Sequence, residues 1–419
     1  MFRLNHLFKR ADAVQRHLAA PLARSRLAYL AHRAEQGAKS STLRGIAALQ
    51  VKVIHYLELG EQGKVARPDI EAAARRWVSQ DPARRGGNAD VAQRHFVSHA
   101  TCWLRFSGRL EDSAISTHPH SGVVADFVDY MRQERGWSEA TIRDRRARAD
   151  DFLRRFCART SALAEVTIAT IDRALSENNA RTGRPRCRTT IRTHADALRA
   201  FFRFAEDRGW SRPGVAAAIV APRVYRDAAL PVGPSWGEQR LLLASTESDC
   251  PADLRDRALL LTLSAYGLRA GEVCALQLDD IDWEAETLRV RRPKTGRVDL
   301  FPLSRRVGEA LARYLRHARP HTDVRKVFLA LTAPTRPLSA SAISSVVRSR
   351  MQRCDIKCPR LGAHALRHAF AQRLLDEGFL MQEIGDCLGH RSLDSTAVYA
   401  KVALAGLRQV ADFDLEGLA

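Results

Sequence analysis

The sequence predicts a mostly helical protein that contains one small β-hairpin, and three observations lead to this prediction. Apolar residues recur at mixed spacings of three and four along most of the chain, as they do on the buried face of a helix. Two short runs of strand-forming residues, 287–292 and 297–303, flank the turn Pro293-Lys-Thr-Gly296. Segments rich in Pro, Gly and Ser at 113–122 and 213–234 have linker composition and divide the chain into three regions.

The charge balance of the 419 residues limits the partners that the protein can have. Lys and Arg total 67 against 47 Asp and Glu, which gives a net charge of +20. The basic excess is present in all three regions and is not confined to one tail. Such a distribution fits a protein that surrounds a polyanion with several of its faces, and the alternative is a solvated, Arg-rich surface.

Cysteine usage and hydropathy predict a cytoplasmic protein. The eight cysteines are scattered and lack the spacing of a disulfide framework. Arg3, Lys9 and Arg10 interrupt the first residues, where a signal peptide would need an apolar run. The longest apolar run, 258–268, is too short to span a bilayer, so we expect no membrane segment.

The first two regions are predicted to be helical. Residues 1–115 form an N-terminal extension in which runs 18–30 and 42–59 show helical periodicity. In this extension the apolar segment 96–106 fits a core helix, with a partner-binding helix as the alternative. Residues 122–212 form the second region, and residues 213–234 link it to the third.

A basic loop in the second region suggests contacts with nucleic acid. It covers residues 178–193 and leads into a helix predicted for residues 190–208. Guanidinium and hydroxyl groups in such a loop suit phosphate contacts, and the start of the helix suits contacts with bases. The alternative is a solvated basic loop. The candidate DNA-binding residues are Arg181, Arg184, Arg186, Arg188, Thr189 and Arg192.

The third region, residues 235–405, mixes helices with the hairpin and is followed by a C-terminal tail at 406–419. One predicted helix, 363–377, has an unusual polar face. Its residues His364, Arg367 and His368 stand at i, i+3 and i+4 and therefore project from one side. Further helices are predicted at 253–265, 304–319, 339–353, 380–388 and 393–401.

Several side chains of this third region suit the chemistry of a phosphodiester. Arg269 and Arg367 are permanently charged forks that can bind non-bridging oxygens and stabilise a five-coordinate phosphorus. His364 and His390 can donate hydrogen bonds to the same oxygens or move protons near neutral pH. Tyr399 supplies an oxygen nucleophile, which positive surroundings would activate.

Lys294 at the tip of the hairpin could protonate the departing sugar oxygen. Between Lys64 and Lys326 it is the sole lysine, although the segment holds many arginines. Lysine can release a proton at working pH and arginine cannot, so a general acid at this position would need to be lysine. Arg297 is a nearby basic competitor for the role.

Alternative interpretations of the same region are a metal site and a different nucleophile. Cys354 and Cys358 precede His364 and His368 as in a zinc finger, but the gap between the two pairs is too short, so we expect no metal. His368 is expected to be part of the scaffold. Tyr266 and Tyr314 lie in apolar helical patterns and are expected in the core, and Glu272 is expected to cap or orient Arg269.

Five motifs of this sequence, in their order along the chain, resemble those of the tyrosine recombinase (phage integrase) family. The resemblance covers about residues 122–405, and its specificity comes from the order of the motifs. A polar or histidine residue often follows the tyrosine in the family, whereas Ala400-Lys401 follows it here. The motifs are Tyr266-Gly-Leu-Arg-Ala-Gly-Glu272, Pro293-Lys-Thr-Gly-Arg297 with Phe301-Pro-Leu303, His364-Ala-Leu-Arg-His368, Leu388-Gly-His390 and Thr396-Ala-Val-Tyr399.

This resemblance implies a helical, SAM-like core-binding domain and a mixed α/β catalytic domain that form a clamp on double-stranded DNA. It implies that Tyr399 forms a 3′-phosphotyrosyl intermediate without any cofactor, and that a homo-tetramer acts on two DNA sites. An accessory recombinase or a DNA-bending protein would be a further partner. By the same resemblance the catalytic positions fall on Arg269, Lys294, His364, Arg367, His390 and Tyr399.

The sequence therefore predicts a site-specific recombinase, an integrase or a transposase of the same chemistry. Two alternatives remain open at this point: a type IB topoisomerase, which reseals the same strand, and a sequence-specific DNA-binding protein without catalysis. For the extension 1–115, arm-site DNA binding, accessory contacts in transposition and oligomerisation are all compatible with the sequence.

Overall fold

The structure is a computed structural model of the chain and describes residues 6–80, 89–111, 118–157, 162–177, 185–224, 232–292 and 296–389. Helices α1 to α5 span Ala11–Ala19, Ala23–Glu35, Ser40–Leu57, Arg67–Gln80 and Ala89–Phe106. Helices α6 to α10 span Ser121–Asp129, Glu139–Phe156, Ile168–Ser176, Arg188–Asp207 and Val215–Ala218. Helices α11 to α13 span Trp236–Ala244, Pro251–Tyr266 and Ala270–Ala275.

The remaining elements are one small sheet and four further helices. Strands β1 to β3 cover Ile281–Asp282, Thr287–Arg291 and Val298–Pro302 and pair antiparallel in the order β1-β2-β3. Helices α14 to α17 span Arg305–His317, Ala340–Arg353, Ala363–Asp376 and Met381–Leu388. Helices dominate the described residues, so the predicted fold class is confirmed. In the described part of the chain no helix is long and apolar enough to cross a membrane.

The chain divides into two compact units. The first comprises residues 1–61 and 229–419, and the second comprises residues 62–228, each as far as it is described. Residues of the predicted extension 1–115 are thus found in both units. The boundaries predicted from sequence stay predictions.

The second unit contains α4 to α10. Trp77 of α4 and Phe96 of α5 pack with ring centroids 5.2 Å apart. Around α6, α7 and α9 the core is rich in aromatic rings, and Phe127 packs edge-on against Phe201 at 5.3 Å. Helix α7 begins after Ser138, whose hydroxyl accepts a hydrogen bond from the backbone N–H of Thr141.

In the first unit, α12 lies in the core that carries the candidate site. Its buried face includes Leu259, Leu260 and Leu263, which belong to the same apolar cluster as α14 and α16. Strand β2 contributes Leu288 and Val290 to this cluster, because alternate residues of a strand face the same side. Helices α12 and α16 and strand β2 therefore share one core, and Leu388 of α17 packs with Ala371 of α16 in a second, smaller cluster.

Several sequence predictions need correction or lie outside the described residues. The helical run expected at 18–30 is interrupted between α1 and α2, because Pro21 breaks the helix and Leu22 adopts a positive φ of 57°. Strands β2 and β3 end within one residue of their predicted limits, whereas β1 was not predicted because it is only two residues long. The helix predicted at 393–401 lies outside the described residues.

Candidate active site

Helix α12 ends at Gly267, where two other elements approach the backbone closely. Gly267 has a positive φ of 57°, which glycine adopts without the strain that a side chain would add. A Cβ atom here would lie 2.3 Å from Cδ1 of Phe370 and 3.0 Å from Cδ2 of Leu388. The glycine thus lets α16 and α17 meet the end of α12.

Arg269 follows this turn and precedes α13. Glu272 binds it twice: one carboxylate oxygen accepts from the backbone N–H of Arg269 at 2.8 Å, and the other accepts from its Nη1 at 2.8 Å. The side chain of Glu272 is 3% exposed and that of Arg269 is 31% exposed. The expectation that Glu272 caps and orients Arg269 is confirmed.

Arg367 lies on the buried side of α16. Its Nη1 donates to the carbonyl of Gly267 at 2.8 Å, and its Nη2 donates to the carbonyl of Leu388 at 2.7 Å. Only 2% of the residue is exposed. A guanidinium at this depth is tolerated because backbone carbonyls accept its N–H groups.

The two histidines of α16 differ in exposure. His364 is exposed in the first turn of the helix, and His368 is half-buried one turn further on, with ring centroids 4.3 Å apart. Burial, together with the charges of His364, Arg367 and Arg360, lowers the pKa of His368 to about 4. His368 is therefore neutral at physiological pH, which fits the scaffold role expected for it.

The carbonyl oxygen of Leu388, at the end of α17, is the point where three arginines meet. It accepts from Arg367 at 2.7 Å, from Arg292 at 3.2 Å and from Arg269 at 3.4 Å. The last carbonyls of a helix lack partners within the helix and carry partial negative charge, so cations are favoured there. In sequence, Gly389 and then His390 follow directly.

Arg292 was missed in the sequence analysis although it is fully buried. It donates to Asp299 Oδ2 at 2.7 Å, to Glu272 Oε2 at 2.9 Å and to the Cys387 carbonyl at 2.9 Å. One signal was available. Alternate residues of β2, Leu288 and Val290, face inward, and the same alternation places Arg292, the residue after the strand, on the inward side. A charged side chain there needs a buried partner.

Three predicted catalytic residues, Lys294, His390 and Tyr399, lie outside the described residues. The base of the hairpin that contains Lys294 is described. The backbone N–H of Arg292 donates to the carbonyl of Arg297 at 2.8 Å, and Gly296 N–H donates back to the carbonyl of Arg292 at 2.9 Å. The hairpin predicted from sequence is therefore present up to its turn.

The alternative nucleophiles are part of the core. The Tyr266 hydroxyl donates to the carbonyl of Pro302 at 2.9 Å, and the residue is 6% exposed. Tyr314 is completely buried, and burial raises its pKa, which opposes formation of a phenolate nucleophile.

The thiol of Cys358 donates to the carbonyl of Arg360 at 3.2 Å. In the described ranges no three His, Cys, Asp or Glu side chains are grouped as metal ligands.

The candidate DNA-binding residues belong to the second unit. Arg181 and Arg184 lie outside the described residues. Arg186 is half-buried and its Nη1 donates to the carbonyl of Ala174 at 3.1 Å, so it holds the chain before α9 against α8. The exposed members of the set are Arg188, Thr189 and Arg192, all in the first turns of α9.

Comparisons with known proteins identify the family. The family model described as "Phage integrase family" matches residues 238–405, and the model "Phage integrase, N-terminal SAM-like domain" matches residues 124–209. A putative integrase/recombinase, y4rA of Sinorhizobium fredii, is 36% identical to this chain over 77% of this chain and 78% of its own length. The chain belongs to the phage integrase family.

Two further relatives extend the comparison within this family. Tyrosine recombinase XerC of Mycobacterium leprae is 29% identical over 69% of this chain and 97% of its own length. The crystal structure of XerH site-specific recombinase, bound to a palindromic difH substrate, covers 85% of this chain and 98% of its own chain with 16% identity and a TM-score of 0.53. The latter likeness concerns the fold.

This integrase-family chain is an enzyme of site-specific DNA recombination that cleaves and rejoins DNA. The comparisons do not favour the two alternatives, a type IB topoisomerase and a DNA-binding protein without catalysis. The predicted family membership and the predicted reaction class are confirmed.

Replacement of Gly389 by alanine is expected to disturb the end of α17. Gly389 has a positive φ of 62°, and a Cβ atom would lie 2.9 Å from Cζ of Arg292. Strain at such a position costs about 1–3 kcal/mol, so the free energy of unfolding in urea should fall by at least ~1 kcal/mol. Gly271→Ala is the control, because a Cβ atom at Gly271 meets nothing within 4 Å. An equal effect of both variants would contradict the close packing on Arg292.

The lowered pKa of His368 predicts a pH-dependent contribution to stability. The folded pKa of about 4 is below the ordinary value of 6.5, so the unfolded chain binds the proton more tightly. The contribution of neutral His368 should therefore be complete above pH 6.5 and be lost as the pH falls towards 4. Between pH 7 and pH 4.5, the free energy of unfolding in urea should fall less for His368→Gln than for the wild type. The exposed His321→Gln should match the wild type, and equal losses in all three proteins would contradict the prediction.

Proposed function

We propose that this enzyme cleaves one DNA strand with Tyr399 and stabilises the reacting phosphate with Arg269, His364, Arg367 and His390. In the cleavage step the Tyr399 hydroxyl loses its proton to solvent as its oxygen attacks phosphorus, a 3′-phosphotyrosyl bond forms, and the bond from phosphorus to the 5′-oxygen breaks.

In this proposal Lys294 gives its proton to the departing 5′-oxygen, which leaves as a hydroxyl. Strand exchange then follows when the 5′-hydroxyl of the partner strand attacks the phosphotyrosyl bond and releases Tyr399. Each step replaces one phosphoester bond by another, so the bond energy is conserved without a cofactor.

The observation that carries this proposal is the junction of Arg269 and Arg367 at the end of α17. The two arginines come from positions 98 residues apart in sequence and donate to the same carbonyl of Leu388, which is followed by Gly389 and His390. Two permanent cations provide donors that a phosphorane with extra negative charge needs.

We also propose that the start of α9 contacts DNA through Arg188, Thr189 and Arg192, which are exposed. Arg188 and Arg192 stand four residues apart and therefore share one side of the helix. The XerH site-specific recombinase was solved bound to a palindromic difH substrate, which supports a recombination site as the partner here. By the same proposal four protomers in the cytoplasm act on two DNA sites, with an accessory recombinase or DNA-bending protein as a further partner.

A nicked duplex tests the role of Tyr399. The probe contains the recombination site, located by footprinting on the DNA that flanks the gene, and its nick lets the cleaved end diffuse away so that religation is blocked. The wild type should form a covalent protein–DNA complex that survives denaturant. Tyr399→Phe should bind the same duplex but form no such complex, because it lacks the nucleophilic oxygen. Failure of the wild type to form the complex, or its formation by Tyr399→Phe, would refute the proposal.

Substitution of Arg188 and Arg192 tests the DNA contacts. If each contacts a phosphate, each alanine variant should weaken binding and reduce the slope of log affinity against log salt by about 1. Arg186→Ala is the matched comparison, because this guanidinium donates to the carbonyl of Ala174 and should affect folding more than the salt slope. Unchanged slopes for Arg188→Ala and Arg192→Ala, measured by fluorescence anisotropy, would count against the assignment.

A further inference from the structure

Arg292 differs from Arg269 because its charge is enclosed. Its side chain is 1% exposed, against 31% for Arg269. Its guanidinium donates to two carboxylates and two backbone carbonyls of the protein. A buried charge costs free energy unless it is paired and hydrogen-bonded, so the function of Arg292 must be sought in the groups that it contacts.

Those groups belong to three separate segments. In the hairpin, Nε donates to Asp299 at 2.7 Å, and in α13 the Glu272 carboxylate accepts from Nη1 at 2.9 Å. At the end of α17 the carbonyls of Leu388 and Cys387 accept at 3.2 Å and 2.9 Å. One planar guanidinium therefore joins β3, α13 and α17, and its charge is balanced by two buried carboxylates.

Each of these segments holds or adjoins a residue with a proposed chemical role. Lys294 comes two residues after Arg292 in the hairpin, Glu272 orients Arg269, and His390 comes two residues after Leu388. We propose that Arg292 is a positioning residue of the recombination reaction. It holds the hairpin with the general acid, the arginine–glutamate pair and the end of α17 in one fixed arrangement. This inference rests on the roles proposed above for Lys294 and Tyr399.

The arrangement requires the guanidinium and not merely a positive charge. Arginine has five N–H groups in a rigid plane and can donate hydrogen bonds in several directions, whereas lysine has three N–H donors on a single nitrogen. The backbone at Gly389 lies directly against this plane, since a Cβ atom there would be 2.9 Å from both Cζ and Nε of Arg292. Lysine would restore the charge but would not reproduce these contacts.

The test measures whether the loss of Arg292 displaces the general acid. Single-turnover cleavage is compared on two nicked duplexes with the same site, one normal and one with sulfur in place of the bridging 5′-oxygen. A thiolate leaves without being protonated because thiols are far more acidic than alcohols. The sulfur substrate therefore relieves a defect in proton donation but not a defect in charge stabilisation.

Arg292→Met is expected to cleave the normal duplex about 10²-fold more slowly, because small misplacements of catalytic groups have effects of this size. For this variant, the cleavage rate on the sulfur substrate divided by the rate on the normal substrate should be at least ~10-fold larger than the same ratio for the wild type. Lys294→Ala should show the same increase in this ratio. Arg269→Ala should keep the wild-type ratio. Affinity for the duplex should stay within about threefold, because the role proposed for Arg292 involves protein groups and not a phosphate.

Arg292→Lys separates positioning from charge balance and covers the case in which Arg292→Met fails to fold. We expect it to fold and to show a raised ratio, because the charge is kept and the planar contacts are lost. The exposed Arg289→Met on the same strand is the control and should retain the wild-type ratio.

Two results would overturn the inference: a wild-type ratio in both Arg292 variants, or a wild-type rate in Arg292→Lys. Absence of any covalent complex with the wild type would instead refute the proposed function itself. The two failures are therefore distinguishable.

Discussion

The carbonyl oxygen of Leu388 imposes the main geometric constraint on the candidate site. Guanidinium groups from the start of α13, the end of β2 and the inner side of α16 all donate to it. An oxygen atom has two lone pairs, so three donors can share it only when their positions are fixed within a narrow range. The partial negative charge at the end of a helix favours this concentration of cations. The position of α17 is thus coupled to the other three elements.

The close approach of these elements depends on two glycines. Gly267 ends α12 and Gly389 ends α17, and both have positive φ. The first lies against Phe370 and Leu388, and the second against the plane of Arg292. Any side chain at either position would both strain the backbone and separate the elements, because protein cores lack space for an additional group. Gly267 of the Tyr266–Glu272 motif and Gly389 of the Leu388–His390 motif therefore have a steric explanation.

Much of this architecture could be predicted from the sequence because it depends on local patterns. The helix expected at 363–377 is observed as Ala363–Asp376, and the hairpin strands are correct to within one residue. Glycine at a helix end, a serine start signal and strand alternation all act over a few residues, so they can be read without the tertiary structure.

The contacts of Arg292 could not be predicted in the same way. Its partners Glu272 and Leu388 are 20 and 96 residues away in sequence, and only folding brings them together. Burial was implied by its inward register, but the identity of the partners was not. The break between α1 and α2 was overlooked because the apolar spacing continues across Pro21. The assignments of Lys294, His390 and Tyr399 stay predictions from the motifs.

The choice of arginine for the buried contacts has a consequence for how the enzyme responds to its surroundings. Only eight of the 67 basic residues are lysines. Guanidinium groups keep their charge throughout the range in which proteins are stable, whereas amines, imidazoles and phenols can lose or gain protons. The three guanidinium groups around the Leu388 carbonyl therefore keep their charge when the acidity changes. An acidity dependence of strand cleavage would then have to come from groups other than these three arginines.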